Sequence, residues 1–151
     1  MLIKCIILPL AVGAISGFLT RNGMKDFMQI AQPVLTPPPW VFPIVWTILY
    51  VMMGIASYDV LVSENGTENK ARALGLYGAQ LFFNFWWSIV YFNLKNYLFA
   101  FVWLIAMWGL IIATILEFRK LSKRAALLMV PYLLWTTFAA YLNYGVYLLN
   151  R

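Results

Sequence analysis

Two amides and a tryptophan recur at helical spacing in the middle of the chain: Gln80, Asn84 and Trp87. Positions i, i+4 and i+7 share one face of a helix. Two further stripes of the same kind occur elsewhere, one of Trp135, Phe138, Ala139 and Asn143, the other of Pro43, Trp46 and Tyr50. Amides buried away from water cost free energy unless they are partnered, so they should face a protein interior. Together the stripes predict a pocket walled by flat aromatic rings, with a few amides to orient a ligand.

Tryptophan can line a pocket, but it is also common at the membrane–water interface, so each tryptophan here has two possible roles. Trp and Tyr favour the headgroup depth of a membrane, and some of them should be belt residues. We assign Trp40, Tyr97 and Tyr147 to such belts, and Trp46, Trp87 and Trp135 to the pocket. Asn84 is equally compatible with a ligand contact and with a hydrogen bond between helices.

Several kinds of chemistry are disfavoured by the residues available. The chain has no histidine and one cysteine, Cys5, so the commonest metal ligands and proton carriers are missing and we expect no metal site or cofactor. Asp59 and Glu117 lie near helix ends, and no paired carboxylates or nucleophile–base arrangement can be assembled. No ionisable group falls near mid-depth of an apolar segment, which disfavours an ion relay. No inverted repeat is visible either, which disfavours a rocking transporter.

The elements that must position these residues are membrane helices. Hydrophobic residues make up 64% of the 151, charged residues only 11%, and the mean hydropathy is +0.80. The basic residues lie between apolar segments rather than on one face, so we expect no nucleic-acid partner. A spanning helix needs about 20 mostly apolar residues. Five stretches qualify, which predicts a single all-α, five-helix transmembrane domain over 1–151 with helices at about 3–19, 41–62, 73–92, 97–118 and 125–149.

The first helix could be read as a signal peptide, but its apolar run is long, and we interpret it as retained. Loop one, about 21–40, is long and ends in a stiff proline run, so we interpret it as a lid, with a plain connector as the alternative. Loop two, 63–70, should be solvated, and loop four, 119–124, is strongly basic. The amino terminus, loop two and loop four share one side and hold most of the basic residues, which places that side in the cytoplasm of a multi-pass cell-membrane protein.

Small residues suggest close helix approach in two places. Gly75, Gly78 and Ala79 lie together on the third helix, and Gly13 and Gly17 on the first. Such residues can serve a homodimer or packing within one bundle. We expect a homodimer, and for the first helix both uses stay open.

Three spaced motifs resemble one family. Residues 37–50 read PPPWVFPIVWTILY and are similar to the second-helix signature of the TspO/translocator-protein family, also called tryptophan-rich sensory proteins or peripheral-type benzodiazepine receptors. The family's third-helix motif resembles a set of residues in the middle of this chain, namely Leu76, Tyr77, Gln80, Leu81, Asn84 and Trp87. The fifth-helix motif looks like Pro131, Tyr132, Leu133, Trp135, Phe138, Leu142, Asn143 and Tyr144. The resemblance covers nearly the whole chain and suggests a bacterial member.

The resemblance implies a five-helix bundle, usually dimeric, that binds porphyrins and, in many members, isoquinoline or benzodiazepine drugs. It further implies light-dependent breakdown of protoporphyrin IX, with Trp46 and Trp135 at the implicated positions. In that reaction the porphyrin is ligand and substrate, and light and oxygen are consumed without a separate cofactor. The implied ligand-binding residues are Trp46, Tyr50, Gln80, Asn84, Trp87, Phe99, Trp135, Phe138 and Asn143.

The chain departs from the family pattern in loop one, where Leu35 replaces a tryptophan and Phe27 a tyrosine. Three functions follow as hypotheses. The first is a tetrapyrrole receptor that destroys its ligand in light. The second is a transporter or scavenger of tetrapyrroles, or of sterol or lipid, without chemistry. The third is a structural or regulatory bundle whose pocket holds membrane lipid.

Overall fold

The computed structural model describes residues 1–64 and 66–151, and within them every regular element is helical. The elements are α1 (Leu2–Leu19), α2 (Arg21–Phe27), α3 (Val41–Leu61), α4 (Thr67–Ser88), a π-helical segment (Ile89–Asn93), α5 (Tyr97–Leu121) and α6 (Lys123–Asn150). All five predicted helices are present as α1, α3, α4, α5 and α6. The predicted all-α class is therefore confirmed.

Helix ends differ from the predicted ones where polar residues have good helix propensity. Arg119 and Lys120 lie in the last turn of α5, and Lys123 and Arg124 begin α6, so the basic loop four shrinks to Ser122. Lys and Arg are good helix formers, and at a helix carboxyl end their charge also suits the helix dipole. Ser122 has extended backbone angles and accepts a hydrogen bond from the Ala125 amide, which caps α6.

Loop two is also shorter than predicted, because α4 begins at Thr67 rather than near residue 73. Of the predicted stretch 63–70, Asn65 lies outside the described residues. At its other end α4 widens into the π-helical segment, whose last turn closes when the Leu94 amide donates to the Ile89 carbonyl. Loop one is not wholly irregular, since it contains α2.

Within residues 1–64 and 66–151, four helices are long and apolar enough to cross a membrane: Leu2–Leu19, Val41–Leu61, Tyr97–Leu121 and Lys123–Asn150. The polar first turns of α4, with Glu68, Lys70 and Arg72, lower its mean hydropathy and set it apart from these four. The chain is thus a multi-pass membrane protein by its apolar helices, and α4 is the helix on which a count of five spans depends.

The helices form a ring in the order α1, α3, α6, α5, α4, with α4 returning to α1. The ring closes tightly at α1, where Gly54 of α3 lies against the backbone of Cys5 and Ile6. Gly13 of α1 lies against the Tyr50 ring, whereas a Cβ built on Gly17 would meet no atom of the described residues within 4 Å. The predicted close packing of α1 therefore uses Gly13 and not Gly17.

Ion pairs mark the two ends of the ring. At one end Arg124 of α6 donates to both carboxylate oxygens of Asp59 at the end of α3, each at 2.7 Å. At the other end Lys95 donates to Asp26 of α2 at 2.8 Å. The chain therefore alternates direction from helix to helix, and loop one, the α4–α5 turn and the carboxyl end of α6 share one side.

Candidate functional site

A chain of hydrogen bonds joins α3, α4 and α6 inside the ring. The Tyr50 hydroxyl donates to Asn84 Oδ1 at 2.8 Å, and Asn84 Nδ2 donates to the Tyr132 hydroxyl at 2.8 Å. The Tyr132 hydroxyl in turn donates to Gln80 Oε1 at 2.7 Å. Gln80 and Tyr132 are fully buried and Asn84 is 1% exposed. Asn84 therefore bonds between helices, which was one of its two possible uses.

Tyr132 was not among the residues predicted to line the site, although it accepts or donates in two of these three bonds. Its signal in the sequence was its register, since it lies one turn before Thr136 on the face of α6 that buries Asn143. The tyrosine hydroxyl is both donor and acceptor, and so it can link two amides that could not otherwise be satisfied together.

Asn143 joins a second pair of elements. It accepts a hydrogen bond from the Trp87 indole nitrogen at 3.1 Å, and its Nδ2 donates to the backbone carbonyl of Tyr97 at 2.9 Å. Asn143 is fully buried. It therefore fixes the plane of the Trp87 ring and ties the start of α5 to α4 and α6.

The three tryptophans assigned to the pocket meet, with Trp46 at the centre. Its ring centroid lies 6.5 Å from Trp87 and 6.4 Å from Trp135. It also lies 5.6 Å from Tyr50, in a stacked arrangement, and 6.2 Å from Tyr132. We call Trp46, Trp87 and Trp135 the tryptophan cluster. It lies on the loop-one side of the amide–tyrosine chain.

Trp135 carries a buried polar atom that has no partner among the described residues. Its indole nitrogen is buried and makes no hydrogen bond to any described residue. Phe42 and Phe138 flank the ring at 5.9 and 5.5 Å between centroids. Phe138 is thus where the stripe on α6 placed it, and Phe42 is an addition that its spacing four residues before Trp46 could have indicated.

Phe99 lies apart from the other predicted site residues. It is 49% exposed, and its ring contact is with Trp103, 6.1 Å away on the same helix. Trp103 stacks on Phe83 at 4.2 Å and donates to the Phe83 carbonyl. The structure therefore joins eight of the nine predicted residues in one network of ring contacts and hydrogen bonds, in which Gln80 is connected through Tyr132. It places Phe99 on the outer α4–α5 face.

Loop one covers the tryptophan-cluster end of the ring, beginning with α2. Phe27 packs its ring against Tyr91 at 5.3 Å and Phe92 at 5.4 Å. The hydrogen bond from Lys95 to Asp26 holds the other face of α2 and raises the pKa of Lys95. Phe27 therefore provides an aromatic contact from α2 to the π-helical segment.

The rest of loop one is held by α6. The Asn150 side chain pairs with both backbone groups of Ala31, accepting from its amide at 3.3 Å and donating to its carbonyl at 2.8 Å. The Tyr141 hydroxyl donates to the Val34 carbonyl at 2.7 Å. Loop one is thus an ordered cover that side-chain contacts attach to the helices from Asp26 to Val34.

The rings of the tryptophan cluster fill the space that they line. Their centroid separations are those of aromatic rings in direct contact. Two surface concavities lie elsewhere, one of about 340 Å³ beside Tyr97 and Asn150 and one of about 440 Å³ beside Leu116 and Lys120. A flat ligand between these rings would therefore have to move at least one indole, and Trp46, which is only half-buried, is the central one.

Comparison with known proteins gives one family. The family model described as TspO/MBR family matches residues 5–149. A Chlorobaculum tepidum protein named tryptophan-rich protein TspO is 40% identical over 147 residues, covering 97% of this chain and 93% of that protein. A Cereibacter sphaeroides tryptophan-rich sensory protein is 40% identical over 81% of this chain and 75% of its own length. The human translocator protein is 36% identical over 87% of this chain and 79% of its own length.

Proposed function

The chain belongs to the TspO/MBR family, and from this premise we propose that it is a membrane receptor that binds tetrapyrroles such as protoporphyrin IX and promotes their oxidative breakdown in light. The observation that carries the proposal is the tryptophan cluster, in which the Trp46 indole contacts both Trp87 and Trp135 under an ordered loop. The same flat apolar walls suit isoquinoline and benzodiazepine-type drugs.

The chemistry of the proposal divides between ligand and protein. A tetrapyrrole absorbs visible light, and its excited state can take one electron from a neighbouring indole. The reduced porphyrin then passes an electron to oxygen, and the resulting reactive oxygen attacks the macrocycle. The protein supplies position, enclosure and an oxidisable side chain, and the ligand supplies the photochemistry. Trp46 and Trp135 are the indoles that we assign to this role.

The unpartnered indole nitrogen of Trp135 supports a binding role for that residue in particular. An unsatisfied buried donor costs about 1–3 kcal/mol, and a ligand carbonyl or carboxylate could accept its hydrogen bond. Gln80, Asn84 and Asn143 are already satisfied by protein groups, which supports a role beneath the ligand rather than against it.

The proposal extends to the surroundings of the site. We assign α4 as a fifth membrane span, because it lies in the ring between α1 and α5 and its polar turns are confined to one end. The cell membrane is the proposed location, with the amino terminus and the basic α5–α6 turn cytoplasmic. Loop one is the proposed lid, and membrane lipid surrounds the ring.

Titration with protoporphyrin IX in detergent, followed by illumination of the same sample in air, tests the proposal. We expect saturable quenching of tryptophan fluorescence with one porphyrin per protomer, and then loss of porphyrin absorbance faster than for free porphyrin. Non-saturable quenching, like that of an unrelated helical bundle, would contradict binding. Saturable binding without accelerated loss in light would favour the transport or scavenging alternative, for which flux across liposomes is the measurement.

A further inference from the structure

An unbroken series of oxidisable rings leads from the tryptophan cluster to the protein surface. Trp135 contacts Trp46, and Trp46 contacts Trp87. Trp87 stacks on Tyr91 with centroids 5.1 Å apart and planes 17° apart, and Tyr91 contacts Tyr97 at 5.3 Å. Every step joins an indole or a phenol to the next, and no centroid separation exceeds 6.5 Å.

The hydrogen bonds of these rings favour movement of an electron vacancy along the series. The Trp135 indole nitrogen has no acceptor among the described residues, and that of Trp87 donates to an amide oxygen, which is a poor base. An oxidised indole at either position would therefore keep its proton and remain a strong oxidant. Such an indole radical would be reduced fastest by a neighbouring ring that can donate an electron.

Two other tyrosines contact Trp46, but neither provides a path by which the electron vacancy can reach the protein surface. The hydroxyls of Tyr50 and Tyr132 donate to the amide oxygens of Asn84 and Gln80 inside the ring of helices. Both tyrosines are buried, at 6% and 0% exposure. A phenol is oxidised readily only when its proton can leave, and an amide oxygen does not take that proton at neutral pH.

Tyr97, in contrast, reaches water. It is half-buried and lines the surface concavity of about 340 Å³ together with Lys95, Asn96 and Asn150. The backbone of Tyr97 is fixed by Asn143, the same residue that fixes Trp87. A small reductant in solution can therefore meet the phenol at the end of the series.

We propose that Trp46, Trp87, Tyr91 and Tyr97 form an electron relay that repairs the photo-oxidised indoles from a soluble one-electron reductant. The inference rests on the proposed function for its natural oxidant, the light-excited tetrapyrrole. That oxidant takes one electron from Trp46 or Trp135, leaving an indole cation radical. Tyr91 is itself only 4% exposed and keeps its phenolic proton, so its ring serves as a bridge and not as a radical site. The indole radical is refilled through Trp87 and across the Tyr91 ring by one electron from Tyr97, whose phenolic proton passes to water. The Tyr97 radical then takes one electron from a reductant such as ascorbate and one proton from water.

Ultraviolet ionisation of the protein without porphyrin tests the relay independently of the proposed function. A background with Phe at Trp40, Trp86, Trp103 and Trp108 keeps only the tryptophan cluster as a source of indole radicals. After illumination of frozen protein and stepwise warming, electron paramagnetic resonance should show a tyrosyl radical. Tyr97→Phe should leave the tryptophanyl signal in its place, since Phe keeps the ring contact and the backbone carbonyl but not the oxidisable phenol. Tyr144→Phe is the matched control, because Tyr144 is an exposed tyrosine on the same side whose rings in contact are Phe101 and Tyr147.

The outcomes separate cleanly. Loss of the tyrosyl signal with Tyr97→Phe and retention with Tyr144→Phe supports the relay. A tryptophanyl radical that never migrates, or equal tyrosyl yields in both variants, overturns it. If the background fails to fold, the same pair of tyrosine variants is compared in the full chain, and only a larger loss for Tyr97→Phe supports the relay. A working relay without porphyrin breakdown would contradict the proposed function alone.

With porphyrin and light, ascorbate should slow bleaching of tryptophan fluorescence in wild type and not in Tyr97→Phe.

Discussion

At the scale of single residues, amides and tyrosines carry the hydrogen bonding of the interior. Tyr132 lies between Gln80 and Asn84 and satisfies both. The hydrocarbon of a membrane cannot form hydrogen bonds, and no water is present to replace a lost one. A buried amide that loses its protein partner there stays unsatisfied. The hydroxyl of Tyr132 should therefore matter more than its modest size suggests.

Tyr132→Phe should lower the free energy of unfolding by about 1–3 kcal/mol, because it leaves Gln80 Oε1 and Asn84 Nδ2 without partners at unchanged ring volume. Thermal unfolding in detergent, followed by helical circular dichroism, is the measurement. Tyr144→Phe removes an exposed hydroxyl and should change stability by less than about 0.5 kcal/mol. Equal melting temperatures for the two variants would mean that the amides find other partners.

Helical spacing in the sequence predicted which side chains share a face near the site, except at Phe99 and Tyr132, and both exceptions have physical causes. The face of Gln80, Asn84 and Trp87 follows from helical spacing alone. The position of Phe99 does not, because residues near a helix start point in a direction set by the packing of α5 on α4. Tyr132 was missed because a tyrosine one residue after Pro131 gives no sign, from the sequence, of which amides its hydroxyl will meet.

At the scale of elements, the contact of α1 with α3 depends on glycine. A Cβ on Gly54 would lie 2.5 Å from the Ile6 Cα and 2.7 Å from the Cys5 carbonyl. Both are backbone atoms, so neither can rotate away.

The positions of the long helices were predictable from the lengths of the apolar stretches. The short helix α2 and the π-helical segment were not, because seven residues that include Gly23 are too few to show a helical period and a π turn has no characteristic composition.

Gly54→Ala should lower the free energy of unfolding by about 1–3 kcal/mol, as overpacking does in a close-packed interior. Gly109→Ala is the control and should be neutral or stabilising, because a Cβ built there, in the middle of α5, meets no described atom within 4 Å. Thermal unfolding of both variants in the same detergent decides the matter. An undisturbed Gly54→Ala would show that α1 can move away from α3 without loss.

At the scale of the whole molecule, the outer face of α4 is left uncovered by the described residues. Gly75 and Gly78 lie on this exposed face, and no described atom comes within 4 Å of a Cβ built on either glycine. Phe82 and Trp86 continue that face and are 58% and 41% exposed. Packing within one bundle therefore does not explain these glycines, which supports α4 as the contact in the proposed homodimer.

Gly78→Leu should weaken the homodimer, because a bulky side chain keeps two α4 helices apart. Gly109→Leu places the same change on α5, where the space is equally open, and should leave the dimer intact. Crosslinking in liposomes and size-exclusion chromatography in detergent report the oligomeric state. Unchanged dimer in Gly78→Leu, with unchanged stability, would remove this face from the interface.

The account depends most on the claim that the indoles of Trp46 and Trp135 take part in the chemistry rather than only shaping the site. Phe at either position keeps much of the aromatic contact but lacks the readily oxidised indole. Trp108 is the matched control, since it lies outside the tryptophan cluster, and its indole nitrogen donates to Thr137.

The most direct measurement compares Trp46→Phe, Trp135→Phe and Trp108→Phe for protoporphyrin IX affinity in the dark and for porphyrin loss under light. We expect Trp46→Phe and Trp135→Phe to bind within about tenfold of wild type, or roughly 1.4 kcal/mol, while degrading the porphyrin far more slowly. Trp108→Phe should match wild type in both assays. Equal photodegradation by all three variants, or loss of binding in step with loss of degradation, would contradict the claim.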